Sequence, residues 1–514
     1  MNRFEAFKAE KDGLDVLPDL LRYAAARTPI EEIPEDDLDR MKWYGVFHRK
    51  QTPGFFMMRL RTPGGRLTGE QLHAIAGIAR DFGRGTADIT TRQNLQLRWL
   101  TLPDIPEILR RLEAAGITTR QSGMDSVRNV IGCPLAGLDG GEAIDTTPLI
   151  DELQETLLAA GKCFSNLPRK FNVSLAGCRE DCGHAQTQDL GFLPAATELD
   201  GRRVAGFNVL VGGALGGTSP RLATPLDVFL RVEEVVPFFV ALLAVYRDNG
   251  PREQRTKARL KWLMEEWGEA RLRAEVEREL GRPLARAGRP LTVRTAGDHL
   301  GVHRQRALGV NYVGLHVPVG RITAEQLDEL GRLAAEYGSD EVRLTIDQNV
   351  VIPNVTFARL DRLLAEPLLR ELRPDPPGVW RNLVCCTGND YCHFSLIDTK
   401  SRAMELGAEL ERRGVAVPDG TRIHMSGCVH ACGKHHVGDL GLLGATVRVG
   451  EHVVEAVHVY ADGRLGEEAR LAKKVRESVL IPDLADVAET LLRERAAETP
   501  AEEATETTTE EAAA

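Results

Sequence analysis

No stretch of this chain approaches the roughly eighteen apolar residues of a membrane span. The longest, Val235 to Val245, has eleven residues and contains Pro237. The opening Met-Asn-Arg-Phe-Glu-Ala-Phe-Lys mixes both charges and lacks the apolar core of a signal peptide. Positive charge is not in excess: the formal net charge is −10. Six glutamates (Glu498, Glu502, Glu503, Glu506, Glu510 and Glu511) lie in an Ala/Glu/Thr tail, so the body is only mildly acidic and a nucleic-acid surface is not expected. No Gly-x-Gly-x-x-Gly follows a strand pattern, which excludes a fused nicotinamide or flavin module; Gly212-Gly-Ala-Leu-Gly-Gly217 reads as a repeat loop. The nine cysteines are odd in number, and without an export signal they point to a reducing compartment and metal ligation, not disulfides. A cytoplasmic protein without membrane segments is expected, its 514 residues divided among two to four domains.

What is present starts with Cys386-Thr-Gly-Asn-Asp-Tyr-Cys392 and Gly427-Cys428-Val-His-Ala-Cys432-Gly433. Four thiols in two close pairs suggest one soft-metal centre, an iron–sulfur cluster or a structural zinc. A C-x5-C arm is wider than zinc pairs usually are, which favours the cluster. Cys385, next to Cys386, is the alternative first ligand.

An internal repeat organises the rest. Gly65-Arg-Leu-Thr-Gly-Glu-Gln-Leu72 recurs as Gly320-Arg-Ile-Thr-Ala-Glu-Gln-Leu327, an offset of 255. Each copy begins a helix with a capping box, Thr68/Gln71 and Thr323/Gln326. Helical spacing follows at Leu72, Ile75, Ala79, Phe82 and at Leu327, Leu330, Ala334, Tyr337. The match continues through Arg92-Gln93-Asn94 and Asp347-Gln348-Asn349, Arg128-Asn129 and Arg381-Asn382, and Cys133 and Cys386. Cys178 and Cys182 pair with Cys428 and Cys432, but Asp139 stands opposite Cys392. The N-terminal trio therefore reads as a decayed or structural set.

That half is rich in cations instead. Period-two alternation in Asn94-Leu-Gln-Leu-Arg-Trp-Leu100 puts Arg92, Asn94, Gln96 and Arg98 on one face. Arg59 with Arg61, and Lys170 with Asn172, share faces in the same way, whereas Gly314, His316 and Asp347 are their largely non-basic counterparts. Guanidinium forks suit carboxylates and small oxyanions.

These residues resemble the sirohaem-dependent nitrite/sulfite reductases, most closely the ferredoxin-dependent assimilatory nitrite reductases. The likeness spans about residues 5–492 and rests on Thr91-Arg-Gln-Asn-Leu-Gln-Leu97, Ser122-Gly-Met-Asp-Ser-Val-Arg-Asn129, Asn166-Leu-Pro-Arg-Lys-Phe-Asn172, Asn311-Tyr-Val-Gly-Leu-His-Val-Pro318 and the cysteine motifs. Val429 and His430 depart from the Pro-Asn usual in the second motif. The resemblance implies a mixed α/β fold: two ferredoxin-like half-domains pairing into one domain, and two larger α/β domains around a sirohaem–iron–sulfur centre. The expected divisions are an N-terminal helical segment 1–48, half-domains 49–115 and 305–375, α/β domains 116–250 and 376–492, a helical linker 251–304, and a disordered acidic tail 493–514.

By the same resemblance Cys386, Cys392, Cys428 and Cys432 ligate one [4Fe–4S] cluster, and Cys432 also bridges to sirohaem. Arg59, Arg61, Asn94, Gln96, Arg98 and Asn129 are expected to bind the sirohaem carboxylates. Arg92, Arg128, Lys170 and Asn172 would hold the oxyanion substrate, with Lys170 the better proton donor because an arginine stays charged. Asn172, where sulfite-reducing relatives tend to carry lysine, favours nitrite. The implied reaction is six-electron reduction of nitrite to ammonium by a monomer, with electrons from reduced ferredoxin or flavodoxin. The donor would dock on a basic patch drawn from Lys434, Lys473, Lys474, Arg476, Arg381 and Lys400. The alternatives are a sulfite reductase of the same build, a ring-modifying relative from cobalamin biosynthesis, and a zinc-structured scaffold or electron carrier without sirohaem.

Overall fold

Both capping boxes form. Thr68 Oγ1 accepts the Gln71 amide while the Gln71 side chain accepts the Thr68 amide, and Thr323 and Gln326 repeat the exchange. They open helices Gly69–Phe82 and Ala324–Tyr337. Leu72, Ile75 and Ala79 of one, and Leu327, Leu330 and Ala334 of the other, are buried where the helices pack together. The structure is a computed structural model describing residues 2–199, 201–292 and 297–498.

Beneath these helices lie two five-stranded sheets that exchange a strand. Arg66–Thr68 leaves its own half and pairs antiparallel with Glu341–Leu344, and Arg321–Thr323 pairs with Thr86–Ile89. Each sheet is thus completed by the other half, and one apolar core runs through both, including Leu97, Leu100, Val313 and Ile352. The half-domains pair as expected, but neither closes alone. The alternation in Leu95–Thr101 breaks at a bulge, where Trp99 takes φ +60°. Leu100 therefore enters the core, while Trp99 turns out to meet Tyr391 edge-to-face with ring centroids 4.7 Å apart.

The two α/β domains share one topology. Val127–Gly132, Phe171–Leu175 and Leu190–Leu199 run parallel, and antiparallel Arg202–Val211 and Thr224–Leu230 extend the sheet. In the second domain Leu383–Cys385, Ile423–Ser426 and Leu440–Val449 are parallel, followed by antiparallel His452–Ala461 and Lys473–Leu480. The cysteines sit just past the carboxyl ends of the parallel strands, the edge where open α/β sheets place their ligands.

Several expected boundaries move. Helix Leu260–Leu280 buries Leu260, Leu263, Met264, Leu272 and Val276 in the core of the first α/β domain, and Arg289–Pro290 adds to that domain's sheet. Much of the 251–304 stretch is therefore domain, not linker. The first ferredoxin-like strand starts at Val46, and helix Leu484–Glu498 extends into the stretch expected as a tail. The rest of that tail lies outside the described residues. The N-terminal segment packs back through buried Trp43, whose Nε1 donates to the Ser165 carbonyl at 2.8 Å.

Candidate active site between the two halves

The cysteine loops of the last domain are shaped by close backbone approaches. A side chain on Gly427 would strike Ser395, and one on Gly433 would strike the Met425 carbonyl, so both turns require glycine. The Cys386 sulfur accepts the Gly427 amide at 3.2 Å and also the Gly388 amide. The Cys428 sulfur accepts the His430 amide, and burial pushes this thiol up to about 12. Cys428 senses the charge of Cys432, Cys392 and Cys386, so the four form one electrostatic group. Among the described residues, no three of them bring their sulfurs within 4.8 Å. Thiolates on one zinc, at about 2.3 Å from the ion, lie about 3.8 Å apart. This wider set suits a multi-iron cluster. Cys385 is wholly buried in the domain's apolar core, whereas Cys386 is only partly buried.

The first ferredoxin-like half meets these loops directly. Thr91 Oγ1 donates to the Cys432 carbonyl at 2.9 Å, and Arg98 Nη2 donates to Thr387 Oγ1 at 3.1 Å. The side chains of Arg92 and Lys170, both half-buried, make no hydrogen bond or ion pair among the described residues. Burial drives the charge on each down, neighbouring cations add to it, and Cys432 offsets part of it. Arg128 is buried on a bulge of strand Val127–Gly132; it donates to the Ser122 and Met124 carbonyls at 2.7 and 2.9 Å. It is held well down by burial and by Arg59 and Arg92. Asn172 Oδ1 is buried without a partner. Arg92 and Lys170 thus share the field of Cys432, and Arg128 lies in the field of Arg92.

The residues assigned to cofactor carboxylates divide. Arg59 donates to the Ser122 carbonyl at 3.1 Å, and burial pushes it down to about 9. Gln96 lies beside it: turned so that its oxygen faces the guanidinium, its amide accepts from Arg59 Nε and Nη2 at 3.2 Å. Arg98 pairs with Asp88 and lies over the Tyr391 ring, yet its Nε and Nη1 are buried and unpartnered. Arg61 differs. It donates to Gln154 Oε1 and to the Gln121, Val127 and Arg128 carbonyls, which uses all its N–H groups within the protein. Asn129 is equally committed, its amide bonding to the Thr62 amide and to the Thr62 and Arg92 carbonyls, and Asn94 accepts from Thr90. Arg61 and Asn129 thus spend their side-chain hydrogen bonds within the protein, supporting the Arg92 and Arg128 loops, whereas Asn94 makes a single side-chain bond, to Thr90. Strand periodicity identified their faces but not the acceptors opposite them.

Arg49 was missed. It lies where Cys392, Cys432 and Arg98 are its charged neighbours, and its buried Nε has no partner. No motif marked it, because it falls just after the first short strand.

The expected basic docking patch also divides. Lys434 is buried, its Nζ 3.2 Å from His184 Nδ1, and burial pushes it down to about 8. Lys400 is buried against the Val319 carbonyl and Asp88, and Arg381 forms an ion pair with Asp298. These three cannot be a docking surface. Lys473, Lys474 and Arg476 remain exposed on an edge strand.

Comparison with known proteins decides the family. The nitrite and sulphite reductase 4Fe-4S domain matches residues 123–284 and 379–494, and the nitrite/sulfite reductase ferredoxin-like half domain matches 48–115 and 303–369. The chain belongs to the nitrite and sulphite reductase family. The ferredoxin--nitrite reductase of Synechococcus elongatus is 47% identical over 500 residues, covering 96% of each chain. The chloroplastic ferredoxin--nitrite reductase of Zea mays is 42% identical, covering 98% of this chain and 90% of that protein. The structure of the Mycobacterium tuberculosis NirA protein superposes with a TM-score of 0.90 at 33% identity, covering 98% of this chain and 94% of that one. Among the described residues no helix is long and apolar enough to cross a membrane.

Proposed function

We propose that this reductase converts nitrite to ammonium at a sirohaem coupled to a [4Fe–4S] cluster, with reduced ferredoxin as donor. The observation that carries the reading is the seating of the first half's cations on the Cys432 loop, where Arg92 and Lys170 have no internal partner. Buried cations without anions are costly, so a site that gathers them is one built to receive anions. The residues fit both groups. Cys386, Cys392, Cys428 and Cys432 would hold the cluster, with Cys432 on the side that faces the cations and so the sirohaem. Arg49, Arg59 and Arg98, with donors left over or burial unpaid by any carboxylate beyond Asp88, would hold the tetrapyrrole's acidic side chains. When bound, the coupled centre supplies electrons one at a time.

The chain's own residues supply the rest. Arg92, Arg128 and Lys170 attract nitrite, orient its oxygens and stabilise negative charge as the N–O bonds break. Reduction of one nitrite to ammonium and two waters takes six electrons and eight protons. Lys170, its charge destabilised by burial beside Arg92, is the group best placed to release one at the substrate. Arg128, fixed by two carbonyls, holds its position through turnover. Asn172 presents a neutral amide where a cation would favour the more highly charged sulfite, and this supports nitrite. Holoenzyme assayed with reduced ferredoxin should show a larger kcat/KM for nitrite than for sulfite; the reverse ratio would establish the sulfite-reductase alternative.

A further inference from the structure

The N-terminal α/β domain keeps three cysteines of the duplicated frame, and they gather more tightly than the C-terminal four. The sulfurs of Cys133, Cys178 and Cys182 all lie within 4.8 Å of one another, and Cys178 and Cys182 are 3.4 Å apart. All three are buried and none is disulfide-bonded. The amide turns that steady the C-terminal thiols recur here. The Leu135 amide donates to Cys133 at 3.4 Å, as Gly388 does to Cys386. The Glu180 and Cys182 amides donate to Cys178, as His430 does to Cys428. Such donors favour sulfur in its thiolate form.

Asp139, opposite Cys392 in the repeat, does not complete the set; its carboxylate accepts the Gly141 amide of its own loop at 2.9 Å. A candidate fourth donor comes from the connection into the second ferredoxin-like half and touches one of the three thiols. His299 Nε2 lies 3.1 Å from Cys182 Sγ and groups with Cys182 and Glu180 within 4.8 Å. Cys133 and Cys178 stand farther from the imidazole, which has to swing toward them to complete a tetrahedron. His299 is held there in the left-handed region, φ +60°. Asp298 beside it is gripped by Arg381 at 2.6 and 3.0 Å, and the Gly297 amide donates to Glu180 at 3.2 Å. Leu135, Ala176, Tyr312 and Val351 supply apolar surroundings.

We propose that Cys133, Cys178, Cys182 and His299 form a mononuclear zinc site, separate from the C-terminal thiols. Three thiolates and an imidazole are a usual structural zinc set, and tetrahedral bonds of about 2.0–2.3 Å bring neighbouring donors to about 3.5–3.8 Å. The trio already approaches that spacing. Zinc would displace the thiol protons and bind without redox change. It would tie two strand ends of the first α/β domain to the segment that enters the second half, a fastening on which turnover at the other cysteines does not depend.

The test is metal analysis of holoenzyme purified from zinc-supplemented culture. About one zinc per chain is expected in addition to the iron, and the zinc X-ray absorption edge should fit three sulfurs and one nitrogen. The double variant Cys178→Ser/Cys182→Ser should lose at least nine-tenths of the zinc, keep its iron and visible spectrum, and melt about 5 °C or more lower. Should that variant fail to fold, His299→Gln, which leaves the thiols in place, should release zinc to a chelator at least tenfold faster than the parent. Iron-replete parent enzyme without zinc, an absorption edge fitted by light atoms alone, or zinc kept in full by the double variant would each overturn the site. Because iron and the visible spectrum are read independently of zinc, this outcome is distinct from failure of the nitrite-reductase reading.

Discussion

At the carboxyl edge of the first α/β domain, Cys133, Cys178 and Cys182 draw together within 4.8 Å, while at the same edge of the second domain no three of Cys386, Cys392, Cys428 and Cys432 do. The sheets carrying them share strand order and direction, and the same amide turns support both sets. The basic residues separate the halves the other way. Asp347 occupies the repeat position of Arg92. Asn172 donates its amide to Asp189 as Arg422 does to Asp439, so Lys170 corresponds to Gly420. The same strand frame thus carries a tight thiol trio and a row of cations in one half and four spread thiols in the other, through changes at a few side chains.

The largest effect expected from breaking this contrast is at Cys432. Cys432→Ser should lose the iron–sulfur and sirohaem absorbance and at least about a thousandfold of nitrite turnover, whereas Cys182→Ser should keep both. Visible spectra and iron content of the two variants side by side check this; equal spectra would mean that the C-terminal thiols are not the cluster ligands.

Next come the cations. Arg92→Ala and Lys170→Ala should each lower kcat/KM for nitrite by about 10²-fold or more with the cofactor spectrum unchanged, as loss of a charge-stabilising group does. The matched change Asp347→Ala in the other half should leave it within about threefold. Steady-state kinetics on spectrally intact protein make the comparison.

A third contrast is between Arg61 and its counterpart His316. Arg61→Met strips five bonds from buried acceptors and should cost on the order of 3 kcal/mol in urea unfolding, with no direct loss of a cofactor contact. His316, 4% exposed, is pushed down by burial to about 4, against about 6.5 in an unfolded chain. Between those values the unfolded chain binds a proton that the native state refuses. His316 should therefore cost nothing above pH 6.5 and reduce stability, by up to about 1.4 kcal/mol per pH unit, as pH falls from 6.5 toward 4. His316→Gln should flatten that part of a pH–stability profile.

The smallest effect concerns the donor. Lys473→Glu with Lys474→Glu should raise KM for ferredoxin about three- to tenfold at low salt, fading as salt rises, and leave turnover with a small-molecule reductant unchanged. No salt dependence would move the docking surface elsewhere.

Much of this was legible in residue order. Thr68/Gln71 and Thr323/Gln326 capped their helices as read, because a capping box is a local bond set that neighbouring residues complete. The thiol spacing marked two loops that meet at one end of the last domain's sheet, and Asn172 proved to be buried with a free oxygen. Reading failed where a partner lay far along the chain. Arg61 looked like Arg59 by alternation, but Gln154 and three backbone carbonyls across 60 or more residues consume its donors. Lys434 looked like a surface cation until His184 and Asp347 enclosed it.

The sequence by itself determined the duplication, the helix starts and the family, since all of these rest on spacing within a copy or between copies. Only the tertiary structure decided that the halves exchange a strand, that the side chains of Arg92 and Lys170 rather than Arg61 are left unpartnered, and that His299 comes against Cys182. The physical reason is common to the three: each depends on what stands opposite a side chain or strand edge, and those neighbours arrive from segments sixty or more residues away.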